Sequence, residues 1–475
     1  RTPPRRTICV SLAPFRLLRP SPRMAGGGAA RELLSPGSCG SALPLGVQDA
    51  KPPEEASRAD VPARLSVPAA TATLTQTILG SGVLALPFAM MNGGLVGGLA
   101  MLVFVGVLTA LSMAVLVLLS SETGRFSYGE LGAATLGERG ARAVALWCLV
   151  FTMGVLAAYP IALGDFLCSL VCKFVPSASA WATPRVTAAI AVVAICWPLS
   201  CAKSFGFLKW SSAVGVLAVL LSSAVGVLRY FDGTYRGAEY ETNDVVAFNA
   251  TGFGHCFPIF VSALAANFAI PGLFREVAPE AGGPGFADSA EGGAAFRRMM
   301  QVIVGALAVS CVVYGAVGVA VYATFGPATE DDLTKNFRKD DGLLVLVRAT
   351  MAVAICATFP LVMMAARNAA YDLFLRPRGV QMTAAVRLSV TSVIVVVCLG
   401  TAEIVGSLGV VLDFNGALFG TPVSYIWPMA MYLALPRSRQ RRRWRLFSFA
   451  CVLLGLFFGL MGLVVASIGV ARGER

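Results

Sequence analysis

The feature that most constrains this chain is a succession of apolar runs that starts at Ala69 and continues almost to the C-terminus, broken only by short polar gaps. A helix crossing the hydrocarbon core of a bilayer needs roughly 20 apolar residues, and the runs have about that length. They lie near 69–91, 95–119, 143–172, 186–201, 210–229, 254–275, 299–325, 343–366, 386–402, 404–435 and 446–470. In lipid every backbone polar group must be satisfied internally, so the pattern predicts an all-α polytopic membrane protein of about eleven transmembrane helices. Charged residues make up 13% of the 475-residue chain, about half the share in a soluble domain. That composition excludes an ordinary soluble protein.

The formal charge is +12 because Lys and Arg number 38 against 26 for Asp and Glu. Basic residues beside membrane helices set topology, cytoplasmic loops retaining the excess. With the N-terminus cytoplasmic, the inner loops hold Arg125, Arg139, Arg142, Lys203, Lys209, Arg275, Arg297, Arg298, Arg367, Arg376, Arg378, Arg387 and the six arginines of 437–445, 18 in all. The outer loops and tail hold Lys173, Arg185, Arg229, Arg236, Lys335, Arg338, Lys339, Arg472 and Arg475, which is 9, together with the acid-rich 330–341 segment. This orientation places the acceptor triplet Asn249-Ala250-Thr251, a glycosylation signal, on the outer or lumenal side. The cluster from Arg437 to Arg445 reads as a topology anchor, with acidic lipid headgroups as its other use.

No basic stripe is interleaved with exposed aromatics, so a nucleic-acid partner is not expected; the partner is the lipid bilayer. Most of the 12 cysteines lie inside apolar runs (Cys148, Cys196, Cys311, Cys356, Cys398, Cys451) and no CxxC occurs, which argues against a disulfide scaffold or zinc site. Residues 1–67 read as a disordered N-terminal tail rich in Pro, Gly, Ser, Ala and Arg, followed by a membrane domain over 68–470 and a short tail at 471–475. The first 31 residues carry seven arginines and no acid, consistent with a transit peptide or with upstream sequence preceding a start at Met24.

Chemistry is expected where the first span is interrupted. Gly80-Ser81-Gly82 followed by Pro87 weakens a helix at its middle, where free backbone groups are tolerable only against protein or a cavity. A half-helix beginning there aims its positive end and N–H groups at an anion such as a carboxylate; the alternative is a tight helix crossing through small residues. Five spans later comes a second interruption, with Asn267 at mid-span and Pro271-Gly272 disrupting the helix just after. Broken helices at corresponding positions of two halves point to an inverted-repeat transporter with its site near the midplane. Spans 1–5 and 6–10 form the 5+5 repeat, and span 11 is an addition.

The residues resemble the amino acid/auxin permease family, which includes sodium-coupled neutral, proton-coupled and vacuolar amino acid transporters. The resemblance rests on Ile78-Leu79-Gly80-Ser81-Gly82-Val83-Leu84-Ala85-Leu86-Pro87-Phe88-Ala89-Met90 and on Tyr159-Pro160-Ile161-Ala162-Leu163-Gly164-Asp165. Weaker support comes from Ser127-Tyr128-Gly129-Glu130-Leu131, Leu136-Gly137, Pro198-Leu199-Ser200, Leu208-Lys209-Trp210-Ser211, and Phe359-Pro360 with Arg367. It covers residues 64–470 and implies the broken-helix fold of the leucine transporter class, with amino acid transport coupled to an ion gradient. It also implies that Gly80, Ser81 and Gly82 meet the substrate's carboxylate and amine, while Ala263 to Phe268, with Ala266 and Asn267, shape the side-chain pocket.

For ion coupling, Thr358 matches a position resembling the family's sodium-ligand threonine, although a hydroxyl there can equally bond the carbonyl one turn back. Gln76 stands where sodium-coupled members carry Asn; its extra methylene displaces the carbonyl oxygen by about an ångström or more. A proton-coupled mechanism needs a titratable group in the bundle, and intramembrane acids are functional suspects. Asp165 and Asp413 are the candidates, Asp165 also reading as a structural hydrogen-bonding acid. The single histidine, His255, reads as a solvated ring at the outer mouth of span 6.

The function expected is secondary active transport of amino acids, neutral by the small apolar pocket, driven by Na+ or H+ and needing no cofactor. A non-transporting amino acid sensor on the same fold is the alternative. A channel lacks its acidic ring or carbonyl filter, and an enzyme lacks a clustered catalytic set. Plasma membrane and vacuolar or lysosomal membrane both fit the charge distribution.

Overall fold

Long apolar runs without nearby charge close their hydrogen bonds within themselves, and the computed structural model, which describes residues 64–201, 208–235, 245–283 and 285–471, is all-helical over its membrane part. Span 1 comprises Val67–Ile78 and Leu86–Gly93; spans 2 to 5 are Leu95–Thr123, Tyr128–Phe174, Pro184–Cys201 and Leu208–Asp232. Spans 6 to 9 are Phe253–Val277, Ala290–Phe325, Gly342–Ala370 and Ala384–Val405; span 10 covers 408–433 and span 11 is Arg442–Ala471. Among the described residues nine helices are long and apolar enough to cross a membrane, and the bent pair in span 1 makes a tenth. Span 10 completes eleven as a continuous helical run through two π-type stretches, Asn415–Gly420 and Pro422–Ile426. The tail over 1–63, Lys203, Arg236, Arg472 and Arg475, and the side chains of Ser81 and of Leu208 to Ser211, lie outside the described residues.

Loop contacts sort into two sets, as alternating passes require. On the side expected to be outer, Leu95 and Val96 N–H donate to Val246 and Ala247 carbonyls at 2.9 Å, Asn249 N–H to Gly93 at 3.1 Å, and Lys173 Nζ to the Asp340 carbonyl at 3.0 Å. On the opposite side, Leu65 N–H donates to Glu276 at 2.9 Å, Arg64 pairs with Glu280 at 3.1 Å, Gly283 N–H reaches Ser121 at 3.2 Å, and Arg441 pairs with Asp288 at 2.7 Å.

The outer 330–341 loop is organised by a cation from the helix that follows it. Arg348, 3% exposed, donates through Nη2 to the carbonyls of Thr334 (2.8 Å) and Phe337 (3.1 Å) and through Nη1 to Lys339 (3.3 Å) and Arg338 (3.5 Å). A buried guanidinium has five donors to satisfy, and these carbonyls supply the acceptors that irregular backbone offers. Phe325, Phe337 and Tyr235 pack edge-on beneath the loop, with ring centroids 5.2–5.6 Å apart.

Two boundaries differ from the sequence expectation. The crossing helix of span 3 begins after Gly137, whose φ of 70° breaks the chain there; a separate helix, opened at Tyr128 and capped by Ser127 accepting the Glu130 N–H at 3.2 Å, precedes it. Span 10 begins at 408 rather than 404, since Gly406 (φ 69°) terminates span 9 in the left-handed region that favours glycine and Ser407 caps the next helix. Span 11 packs on spans 6 and 10, with Phe458 stacked on Phe257 at 4.5 Å.

Candidate functional site

Both interruptions are present and they touch. The first half of span 1 ends at Ile78, the chain runs extended through Gly80 (φ −125°, ψ −160°), and a 3-10 turn over Ser81–Ala85 restarts the helix, the two halves bent by 57°. In span 6 the helix Phe253–Leu264 stops at Ala265 (ψ 96°), and a 3-10 turn over Asn267–Ala269 leads into Ile270–Val277. Pro271 and Gly272 therefore do not disrupt this span as expected: proline lacks an N–H and suits the first turn of a helix, so Pro271 opens the second half and the break falls six residues earlier, at Ala265.

The crossing point is Gly82 against Ala263. A Cβ on Gly82 would lie 2.8 Å from Ala263 Cα and 3.0 Å from its Cβ, so this glycine serves the close approach of span 6. Gly80 is different, because a Cβ there would meet nothing nearer than the Ile78 carbonyl at 3.9 Å. The two breaks are pinned by a residue that sequence reading missed. Tyr314 of span 7, fully buried, donates to the Ile78 carbonyl at 2.8 Å, and its hydroxyl lies 3.5 Å from the Ala263 carbonyl. Those are the orphan carbonyls that a helix end leaves without partners. A lone tyrosine in an apolar span carries no sequence signal of this role.

The remaining pocket residues separate. Ala263 and Ala266 are buried, whereas Phe268 is 40% exposed. Asn267 turns into the bundle: its Nδ2 donates to Ser112 Oγ at 3.0 Å and to the Ser424 carbonyl at 3.1 Å, while Oδ1 is buried without a hydrogen-bond partner. It thereby ties the span 6 break to spans 2 and 10. Ser112 also donates to the Ser424 carbonyl.

Among the ion candidates, Thr358 donates to the Ala354 carbonyl one turn back at 2.9 Å, leaving its oxygen lone pairs for any cation, and Gln76 is half-buried on the first half of span 1. Among the described residues Asp165 has no hydrogen-bond partner within the bundle. It faces Lys335 of the outer loop at 3.1 Å, and the same amine holds Asp331 at 3.2 Å. Asp331 in turn accepts from Ser407 Oγ at 2.7 Å and from the Gly409 N–H at 3.2 Å. Burial raises the Asp331 carboxyl, but Lys335 and these hydrogen bonds outweigh it and hold the pKa below the ordinary value. Asp332, wholly buried, is pushed up to about 7 by that burial despite accepting from Thr334. This network ties span 3, the 330–341 loop and span 10 across one face, as Arg64 and Glu280 tie spans 1 and 6 at the opposite one.

Asp413 is completely buried, and His255 Nδ1 lies 2.9 Å from its Oδ2. His255 is thus not a solvated ring at the mouth: it is 9% exposed and packed against span 10. Asn249 Oδ1 accepts from Thr251 Oγ1 at 2.7 Å and from the Gly252 N–H at 3.3 Å, in an exposed stretch of the outer loop. A cavity of about 760 Å³ lies away from the breaks, between spans 3, 9 and 10, lined by apolar residues such as Met153, Ile394, Val411 and Phe414.

The sequence model of the family described as transmembrane amino acid transporter protein matches residues 63–470. A Danio rerio protein provisionally named sodium-coupled neutral amino acid transporter 11 is 24% identical, the match covering 85% of this chain and 86% of the relative. The Arabidopsis thaliana amino acid transporter AVT6B is also 24% identical, over 81% of this chain and 86% of its own. Among solved structures, the inward-facing conformation of Mhp1 superposes with a TM-score of 0.54 at 12% identity, covering 85% of this chain and 90% of that one. A manganese transporter mutant from Eremococcus coleocola gives 0.52 at 14% identity, covering 87% and 92%. At these identities the likeness establishes the fold, that of the leucine transporter class.

Proposed function

The chain belongs to the transmembrane amino acid transporter family, and on that premise we propose that it carries neutral amino acids across a membrane by alternating access, coupled to a gradient of Na+ or H+. The observation that carries the reading is the meeting of two broken helices at Gly82, Ala263 and Tyr314. Each break presents one helix N-terminus and one C-terminus at the same depth, and these ends bear partial positive and negative charge respectively. An amino acid is a zwitterion: its carboxylate is complementary to the N–H ends beginning at Ser81 and Asn267, its ammonium to the carbonyl ends at Ile78 and Ala263. Residues 78–82 and 263–269 contain no charged side chain, which favours a neutral side chain on the substrate.

Alternating access follows from the ties at the two faces. Releasing Lys335 from Asp165 and Asp331 frees the outer face, and releasing Arg64 from Glu280 frees the inner one. Substrate drives the exchange only insofar as it binds one arrangement more tightly than the other. Gln76 and Thr358 are the residues proposed for Na+, Asp165 and Asp413 for H+; Asn249 is the proposed glycosylation acceptor. The membrane is either the plasma membrane or that of a vacuole or lysosome, with the N-terminus cytoplasmic.

The test is uptake of a radiolabelled pool of neutral amino acids into proteoliposomes under an imposed Na+ or pH gradient. Accumulation under either gradient supports the reading. Specific binding without accumulation or exchange would instead identify a sensor.

A further inference from the structure

We propose that the coupling ion is a proton and that Asp413 and His255 hold it together as one site. This deepens the transport reading above and rests on it. The two residues stand 158 positions apart in sequence, yet they form a buried acid–imidazole pair at 2.9 Å between the first half of span 6 and the first segment of span 10. In a chain with a single histidine, the one side chain that ordinarily titrates near neutrality is seated on a fully buried carboxylate.

The elements around the pair carry other ionisable groups. On the neighbouring residue, Cys256 Sγ donates to the Ala89 carbonyl of span 1 at 3.1 Å. From span 11 the Phe458 ring stacks on Phe257, two residues after His255, while Arg442, Arg443 and Arg445 lie in the opening turn of that span and Cys451 is its thiol. Asp331, bonded to Gly409 four residues before Asp413, and Asp165 of span 3 share the single positive charge of Lys335. The second half of span 1, Leu86–Gly93, contributes no ionisable group.

With a neutral imidazole and an ionised carboxylate the pair carries one net negative charge, which is costly to keep out of water. One added proton makes it an imidazolium–carboxylate pair of zero net charge, and the docked arrangement of span 6 on span 10 is then the favoured one. The proton enters from outer water and leaves to inner water, with no other reactant. Its effect reaches the substrate because His255 and Ala263 lie on one half-helix, about 12 Å apart at 1.5 Å per residue. Leu408–Phe414, which carries Asp413, also packs on the Ser81–Ala85 turn. Proton and amino acid then favour the same arrangement, and two ligands that do so are thermodynamically coupled.

The experiment uses the full chain in Na+-free proteoliposomes containing pyranine, with membrane potential clamped and a labelled mixture of L-alanine, L-serine, L-leucine and L-glutamine outside. An inward gradient of about one pH unit should drive accumulation toward about tenfold, since one unit is one decade of free energy, with acidification of the lumen. Asp413→Asn and His255→Gln should each hold accumulation at onefold with no pyranine signal, and amino acid exchange should lose its pH dependence. The proposal is overturned if the wild type exchanges amino acids but accumulates them only under a Na+ gradient, or if either folded variant retains proton-driven accumulation. Should Asp413→Asn fail to fold, His255→Gln and wild-type lumen acidification decide it. If the wild type shows no exchange at all, it is the transport reading that fails, and this one with it.

Discussion

Substituting the two glycines of the first break separates packing from ligand approach. Gly82→Ala puts a methyl carbon 2.8 Å from Ala263 Cα and 3.0 Å from Ala263 Cβ. Non-bonded carbons rest about 3.5–4.0 Å apart, so the second half of span 1 and the first half of span 6 must part by roughly 0.7–1.2 Å. The obstacle includes backbone, which cannot rotate away. Overpacking of this kind costs about 1–3 kcal/mol, roughly a 5- to 140-fold change in an equilibrium. Gly80→Ala meets nothing within 3.9 Å and its φ of −125° suits any residue. The expected outcome is that Gly82→Ala lowers both the thermal unfolding midpoint of the detergent-solubilised protein and its uptake. Gly80→Ala should keep the midpoint and lower uptake alone, because its methyl stands where substrate approaches the backbone. Adding Ala263→Gly to Gly82→Ala removes the 3.0 Å contact but not the 2.8 Å one, so it should restore only part of the loss. A Gly82→Ala protein as stable as the wild type would refute the packing argument, as would a Gly80→Ala protein destabilised to the same degree.

Tyr314→Phe should strand the buried Ile78 carbonyl, costing about 1–3 kcal/mol, and calorimetry on the purified variant measures it. Lys335→Ala leaves Asp165 and Asp331 facing each other without their shared cation, and faster maleimide labelling of Cys168 near the outer end of span 3 is the expected readout. Asp332 supplies a pH dependence. Its carboxyl is raised by burial from 3.8 to about 7, so folding favours the protonated form. The associated stability is complete below 3.8 and is lost as pH rises through about 7. Hydrogen exchange over Leu333–Asn336 should therefore speed up beyond its intrinsic pH dependence as pH rises from 3.8 to about 7 and gain no further excess above that, and Asp332→Asn should abolish the excess.

What was legible in the sequence was what local composition controls. Eleven apolar runs, the Gly80-Ser81-Gly82 break and the acid-rich 330–341 loop each announce themselves within one stretch of chain, and among the described residues helices and breaks stand where they were read, apart from the starts of spans 3 and 10. The span 6 break was located through Pro271 and so put too late, because a proline that initiates a half-helix looks the same in sequence as one that ends it. What was not legible depends on partners far away. Nothing around Tyr314 signals that its hydroxyl meets two helix ends, and nothing near His255 announces a carboxylate 158 residues on. Of the two readings of the Gly80-Ser81-Gly82 break, the close helix crossing is visible at Gly82 against Ala263. Asp165 was weighed as a bundle acid although its cation comes from a loop.

The winding of residues 334–339 around Arg348 makes the outer loop a rigid pointer fixed to span 8. Four carbonyls converge on one guanidinium, so the loop keeps its form when the helix beneath it tilts. A fluorophore on a cysteine replacing exposed Lys339 would then report displacement of span 8 itself, and its distance to a second label on span 10 would register whether the two helices travel together during a transport cycle.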